Sequence, residues 1–335
     1  MSEFLKNLWG KLYAWALPSA LTLGAYWLFV YPKTTAFHGW LGADSDISKA
    51  GIFAALTATI AFCLNAFSTP LYGILEGYLL WPKWLQKRGS KRQLKCKRDL
   101  ERGLAGTGWM RNLALERIAL YPLDDEQVVP TRFGNAIRSF ETYGRTRFNL
   151  DSQTLWNELC AVAPRYIQTA HDSARSSVDF FVASIYLSAA LGLITLAVAG
   201  FEGFKLSVLV ICVPAFLVTL LCHWLVVRAT GEWSETVQAL VNVGRVKLAD
   251  RLGLQLPDTL DEEKKMWGLV TSYVFFNKTE DGVQLDRFRK RCGTVSLAGN
   301  GRERADGNGA DNHVDENEDE DELIDENEDE LTEES

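Results

Sequence analysis

Four stretches of this chain are apolar for about 20 residues or more, enough for a helix to cross a hydrocarbon core of about 30 Å. They are Leu12–Tyr31, Ala50–Trp81, Val178–Phe201 and Leu206–Val227. In hydrocarbon every backbone amide must find its partner within its own segment, so such runs fold as helices. The expected fold is an all-α integral membrane protein. Four transmembrane helices pair as two hairpins and carry a helical cytoplasmic domain. The second run is longer than a span needs, and Asn65, Pro70 and Glu76 lie toward its end. Only Glu202, Gly203, Phe204 and Lys205 separate the third run from the fourth, so these two form a hairpin.

Charge sets the direction of insertion, because cytoplasmic flanks collect Lys and Arg. Nine basic residues lie between Lys83 and Arg102, directly after the second run. The loop between the first two runs holds only Lys33 and Lys49. Both termini and residues 82–177 are therefore expected on the cytoplasmic side of a bacterial inner membrane. The basic 83–102 segment is expected to meet anionic lipid. Trp9, Trp15, Trp27, Tyr31, Tyr78, Trp81 and Trp84 fall near the run ends, as an aromatic belt would. No small-residue cleavage site follows the first run closely, so a removed signal peptide is not expected.

The net charge of −8 hides a basic body and an acidic tail. From Asp311 onward there are 15 Asp and Glu and no Lys or Arg, which leaves residues 1–310 at +7. The tail repeats DENEDE at 315–320 and 325–330 and holds too little apolar surface to fold. The expected organisation is a first helix pair (1–81), a cytoplasmic helical region (82–177), a second hairpin (178–227), a helical extension (228–276) and a disordered linker with the acidic tail (277–335). The six cysteines form no CxxC and no zinc-like spacing, and are expected to be reduced.

Between the runs, residues 99–121 show a helical stripe of Leu104, Trp109, Leu113, Leu115 and Ile118. GLAGTGW at 103–109 lacks the P-loop lysine and reads as a turn. Thr131 is placed to cap a helix beginning near Arg132, with Phe133, Ile137 and Phe140 on its apolar face. Asp151 is placed to cap a helix through SQTLWNELCAV that buries Leu155, Trp156 and Leu159. After the fourth run the chain stays helical until Pro257, and a further helix covers DEEKKMWGLVTSYVF.

Three elements carry a resemblance. PTRFGNAIRSFETYGRTRFNLDSQTLW (130–156) is similar to a PTRxGNx(I/L)R…ExY…LW segment of uncharacterised bacterial inner-membrane proteins. LEGYLLWP (75–82) resembles their LEGYW element at the end of a span. VNVGRVKLADRLGLQLPDTLDEEKKMWGLV (241–270) resembles their RxxLxxxLGLxLP…EE…W element. The resemblance implies a membrane location. It carries no activity, and the acidic tail lies outside it.

Catalytic signatures are absent: there is no HExxH, GxSxG or GKS/T, and the four histidines are scattered. No catalytic residue, metal site or cofactor is expected. The polar groups at membrane level are Asn65, Glu76, Ser184 and Ser188, the candidates for a path across the bilayer. The bland alternatives are helix–helix hydrogen bonds for Asn65 and the serines, and a headgroup position for Glu76. His223 reads as a packed interface residue and Asp179 as a carboxylate at a helix start. Arg132, Asn135, Arg138, Arg145 and Arg147 are candidates for binding a phosphate, an anionic lipid head or a partner's acidic patch. Their alternative is a solvated face, or ion pairs with Glu141 and Asp151.

Three classes of function fit. The first is a membrane effector or channel-like homo-oligomer, regulated through its cytoplasmic domain and acting on permeability in stress or antiviral defence. The second is an anchored sensor or scaffold for a cytosolic protein partner. The third is a membrane enzyme with dispersed catalytic groups. Direct nucleic-acid binding is not expected.

Overall fold

The computed structural model describes residues 2–31, 46–202, 206–276 and 279–290. Among them there is no strand, only one isolated bridge between Leu254 and Arg289. The helices are α1 (Ser2–Ala25), α2 (Asp46–Ala66), α3 (Ser68–Glu76), α4 (Lys83–Gly103), α5 (Trp109–Ile118) and α6 (Arg132–Glu141). They continue as α7 (Tyr143–Phe148), α8 (Trp156–Val162), α9 (Arg165–Glu202), α10 (Leu206–Arg251), α11 (Leu260–Phe276) and α12 (Thr279–Leu285).

Three helices are long and apolar enough to cross a membrane: those spanning Ile47–Ala66, Arg165–Gly200 and Val210–Arg251. The last two far exceed a span. With 38 and 46 residues, α9 and α10 are about 57 and 69 Å long at 1.5 Å per residue. Their register is antiparallel: Gly192 meets Cys212 and Phe216, Ser188 meets Thr219, and His171 meets Trp233. One long hairpin therefore carries the apolar runs and continues well past them.

Three apolar clusters follow one another along α10. The first holds Leu191, Ala215 and Val30. The second joins Trp15 of α1 and Ala61 of α2 to Val182, Val226 and Val237, and takes in Phe133, Ile137 and Phe140 of α6. The third is built on Leu240, Leu248, Leu155, Leu159, Met266 and Trp267. The middle cluster is thus common to the apolar runs and to the polar connecting region. Trp15 is 2% exposed and belongs to this core, not to an aromatic belt.

Several expected boundaries move. The second run is not one helix: α2 ends at Ala66, and α3 starts afresh beyond Phe67. Pro70 sits in the first turn of α3, where the lack of an N–H leaves the carbonyl of Ala66 without its helical partner. Residues 99–121 break between α4 and α5 at GLAGTG, with Gly108 at φ +64. Trp109 is consequently 74% exposed, off any buried stripe. The Asp151 carboxylate does accept from the amides of Gln153 and Thr154, but the regular helix begins later, at Trp156. Asp179 is mid-helix in α9, not at a start. Residues 279–290, expected as linker, form α12 and a 3₁₀ turn, and Phe288 is buried in the third cluster. The acidic tail lies outside the described residues.

Candidate functional site

The PTRFGN and LEGY elements, remote in sequence, meet in space. Thr131 caps α6 by accepting from the Gly134 amide at 2.9 Å, and its hydroxyl donates to the Glu76 carbonyl at 3.1 Å. Asn135 is fully buried. Its amide donates to the carbonyls of Val129 (3.0 Å) and Thr131 (2.7 Å), and its oxygen accepts from the Val129 amide at 2.9 Å. These bonds hold the Pro130 turn shut. Gly77, at φ +91, ends α3 against Thr131 and Pro130. Asn135 thus clamps the turn that leads into α6.

Gly134 marks the closest approach. A Cβ there would lie 2.7 Å from Val129 Cγ2, 2.8 Å from the Glu76 carbonyl oxygen and 3.0 Å from Glu76 Cα. Two of the three are backbone atoms of α3 and cannot swing aside. Gly134→Ala should therefore cost about 1–3 kcal/mol by overpacking. The readout is the melting temperature of the detergent-extracted protein beside Gly231→Ala, whose Cβ has room, its nearest neighbour being Leu120 at 3.8 Å. Equal melting of the two variants would refute the tight joint.

Above this joint, α3 is tied to α9. The Tyr72 hydroxyl donates to Asp179 at 2.7 Å, and the Tyr186 hydroxyl donates to the Leu71 carbonyl at 2.7 Å. Glu76 is 6% exposed and shares its surroundings with Arg138 and Glu141, which are paired at 3.3 Å. Burial, then the Glu141 charge, pushes the Glu76 carboxyl up to about 7, with Arg138 acting against them. Burial raises Glu141 too. Glu76 thus sits in the seam between α3 and α6.

The remaining polar candidates are Ser184, Ser188 and Asn65. Ser188 lies 2.8 Å from Thr219 across the hairpin and donates to the Ser184 carbonyl at 2.5 Å. Ser184 donates to the Phe180 carbonyl at 2.8 Å. Asn65 is exposed on α2. No line of these groups forms inside one chain.

The arginines separate. Arg138 pairs with Glu141, and Arg145 and Arg147 are exposed on α7, Arg147 lying 5.7 Å from the Tyr143 ring centre. Arg132 alone of the four lines a cleft. That cleft, of about 960 Å³, lies between α4, α5, the start of α6 and α10. A smaller cavity of about 380 Å³ adjoins it and shares Cys96, Arg132 and His223. Arg92, Arg117 and Arg228 complete a basic lining. Among the described residues, none of these four arginines has a carboxylate at ion-pair distance; the acidic lining residues are Asp99, paired with Arg102 at 3.1 Å, and Glu116. The Arg228 guanidinium lies 3.9 Å over the Trp224 ring. Leu100, Leu113, Leu120 and Val227 supply an apolar wall. His223 is exposed into this space, not packed in an interface.

Sequence reading found Arg132 but not its companions, because Arg92, Arg117 and Arg228 come from three different helices. The one available signal was Arg228, the first charge after the fourth apolar run. The third motif is likewise structural. Arg245 pairs with Glu263 and lies 4.3 Å over the Phe148 ring, while the Trp267 indole donates to Glu263 at 3.1 Å. Among the described residues no cluster of His, Cys, Asp or Glu could hold a metal ion.

Fold and site together define a class: an all-helical protein with apolar helices long enough to span a membrane, continuous with a polar-region core, and with a basic cleft where one apolar run ends. No family model matches the chain, no curated protein is significantly similar to it, and no solved structure matches it.

Proposed function

We propose that the chain is a four-span inner-membrane effector governed by its cytoplasmic domain. The observation that carries this is the continuity of α9 and α10, which pass from the apolar runs into the core built by α6, α8 and α11 without a break. A ligand or partner that shifts α6 against α10 must therefore act on the middle cluster, which also packs Trp15 of α1 and Ala61 of α2. The fourth span is α1 with its π-helical continuation Tyr26–Val30. The basic 83–102 segment faces the cytoplasm.

Permeation, on this reading, arises between copies. Asn65 points out of the chain on α2, a helix with little surface buried inside it, while Ser184 and Ser188 are closed in hydrogen bonds. The same observation favours a second reading, an anchored sensor or scaffold with no flux at all.

Two measurements separate these readings. A periplasm-active reporter fused after Lys83 should be silent, and one fused within residues 34–46 should be active; the reverse pattern removes the topology. Ion leak from liposomes reconstituted with the full chain should rise more steeply than linearly with protein density, because copies must meet. Absence of leak at every density leaves the sensor–scaffold reading.

A further inference from the structure

We infer that the cleft between α4, α5 and α10 is a binding site for one anionic phospholipid of the cytoplasmic leaflet. The inference rests on the membrane reading above, and it names the ligand of that site.

The first argument is the depth of the cleft. His223, Trp224 and Val227 belong to the last turns of the fourth apolar run, and Arg228 and Gly231 lie just beyond it. The cleft therefore straddles the level where hydrocarbon gives way to headgroups. The second is its chemistry. Arg117, Arg132 and Arg228 line it, Arg92 lines the smaller cavity that adjoins it, and none of the four has an ion pair among the described residues; an apolar wall of Leu100, Leu113, Leu120 and Val227 stands beside them. A free phosphate would satisfy the arginines and leave the wall wet. A fatty acyl chain alone would cover the wall and leave the guanidinium groups without an anion. A phosphodiester attached to a hydrocarbon chain meets both demands, and guanidinium forks suit its oxygens.

The third argument is the neighbouring helix. Lys83, Lys87, Lys91 and Lys95 are exposed at four-residue intervals along one side of α4, and Arg88 and Arg92 are exposed next to the Lys95 edge of that stripe. The remaining basic residues of that helix are engaged elsewhere. Lys97 is buried and donates to Asp125 (2.7 Å) and the Leu123 carbonyl (2.8 Å), Arg98 lies 3.7 Å from Asp125, and Arg102 pairs with Asp99. A helix with a basic stripe next to the end of a span gathers anionic lipid toward the cleft.

The test uses the full chain in neutral detergent, with native mass spectrometry counting retained lipid. Phosphatidylglycerol should be retained as one tightly held molecule, and phosphatidylcholine should not. Arg132→Gln and, separately, Arg117→Gln should each weaken retention by about tenfold, the loss of one charged hydrogen bond. Arg145→Gln, outside the cleft, should leave it unchanged. Unaltered circular dichroism of each variant guards against misfolding. Glycerol phosphate should fail to displace the lipid. Equal retention of phosphatidylcholine, or wild-type retention in both cleft variants, overturns the site. Full displacement by glycerol phosphate overturns the lipid in favour of a free phosphate ligand. A reversed reporter topology with arginine-dependent lipid retention would overturn the orientation, and with it the cytoplasmic leaflet, and leave the headgroup site standing on the opposite leaflet.

Discussion

Arg245→Ala should destabilise the protein by about 3–5 kcal/mol, the usual consequence of removing one partner from a buried ion pair. Glu263 is 5% exposed and meets Arg245 and the Trp267 indole. Trp267 is fully buried in the cluster that also holds Leu240, Leu248 and Met266. Without Arg245 the carboxylate keeps one indole donor and faces an apolar surround. The guanidinium also stacks on Phe148, so Arg245→Lys restores charge but not the planar contact and should recover only part of the loss. Replacing both partners, Arg245→Met with Glu263→Leu, should be milder than Arg245→Ala alone, because no charge is then stranded. Tryptophan fluorescence during thermal unfolding in detergent reads all three. An Arg245→Ala loss below about 1 kcal/mol would mean that water reaches Glu263 and that the pair is effectively a surface pair.

The same residues show what a sequence can disclose. The helices were legible because their causes are local: apolar runs, the Thr131 cap, the Asp151 turn and the glycine break at 103–108 each act over a few residues. The roles of the motifs were not legible, because they come from pairing. Asn135 and Arg132 sit three residues apart and looked alike as ligand candidates, yet one is fully buried in hydrogen bonds to its own turn and the other opens on a cleft. Glu76 read as a carboxylate either within a span or at the headgroups because the second run continued past it. Its true setting depends on the break after Ala66, which turns α3 onto α6 and α9. The length of α9 and α10 was hidden for a related reason: the helix continues after the apolar residues stop, and its polar part is stabilised by clusters drawn from the rest of the chain.

That setting makes Glu76 the origin of a pH dependence. In the folded chain its carboxyl ionises near 7, against the ordinary 4.5. The folded state therefore holds a proton that the unfolded chain has released, and stability must fall as pH rises between those values. The full difference is about 3 kcal/mol, complete once pH exceeds the folded value. Glu76→Gln keeps the shape and stays neutral. It should melt much like the wild type at pH 5, and at pH 8 it should be more stable by an amount approaching that figure. Glu141, raised in the same direction by burial but in contact with Arg138, leaves a smaller residual slope. Glu141→Gln alone should flatten the profile less than Glu76→Gln, since it removes only the second contribution to the rise at Glu76 and leaves burial in place. An unchanged slope in Glu76→Gln would show that solvent enters the seam between α3 and α6. Alkaline loosening of that seam, absent in Glu76→Gln, would instead tie the ionisation of a single carboxylate to the joint through which α6 bears on the spans.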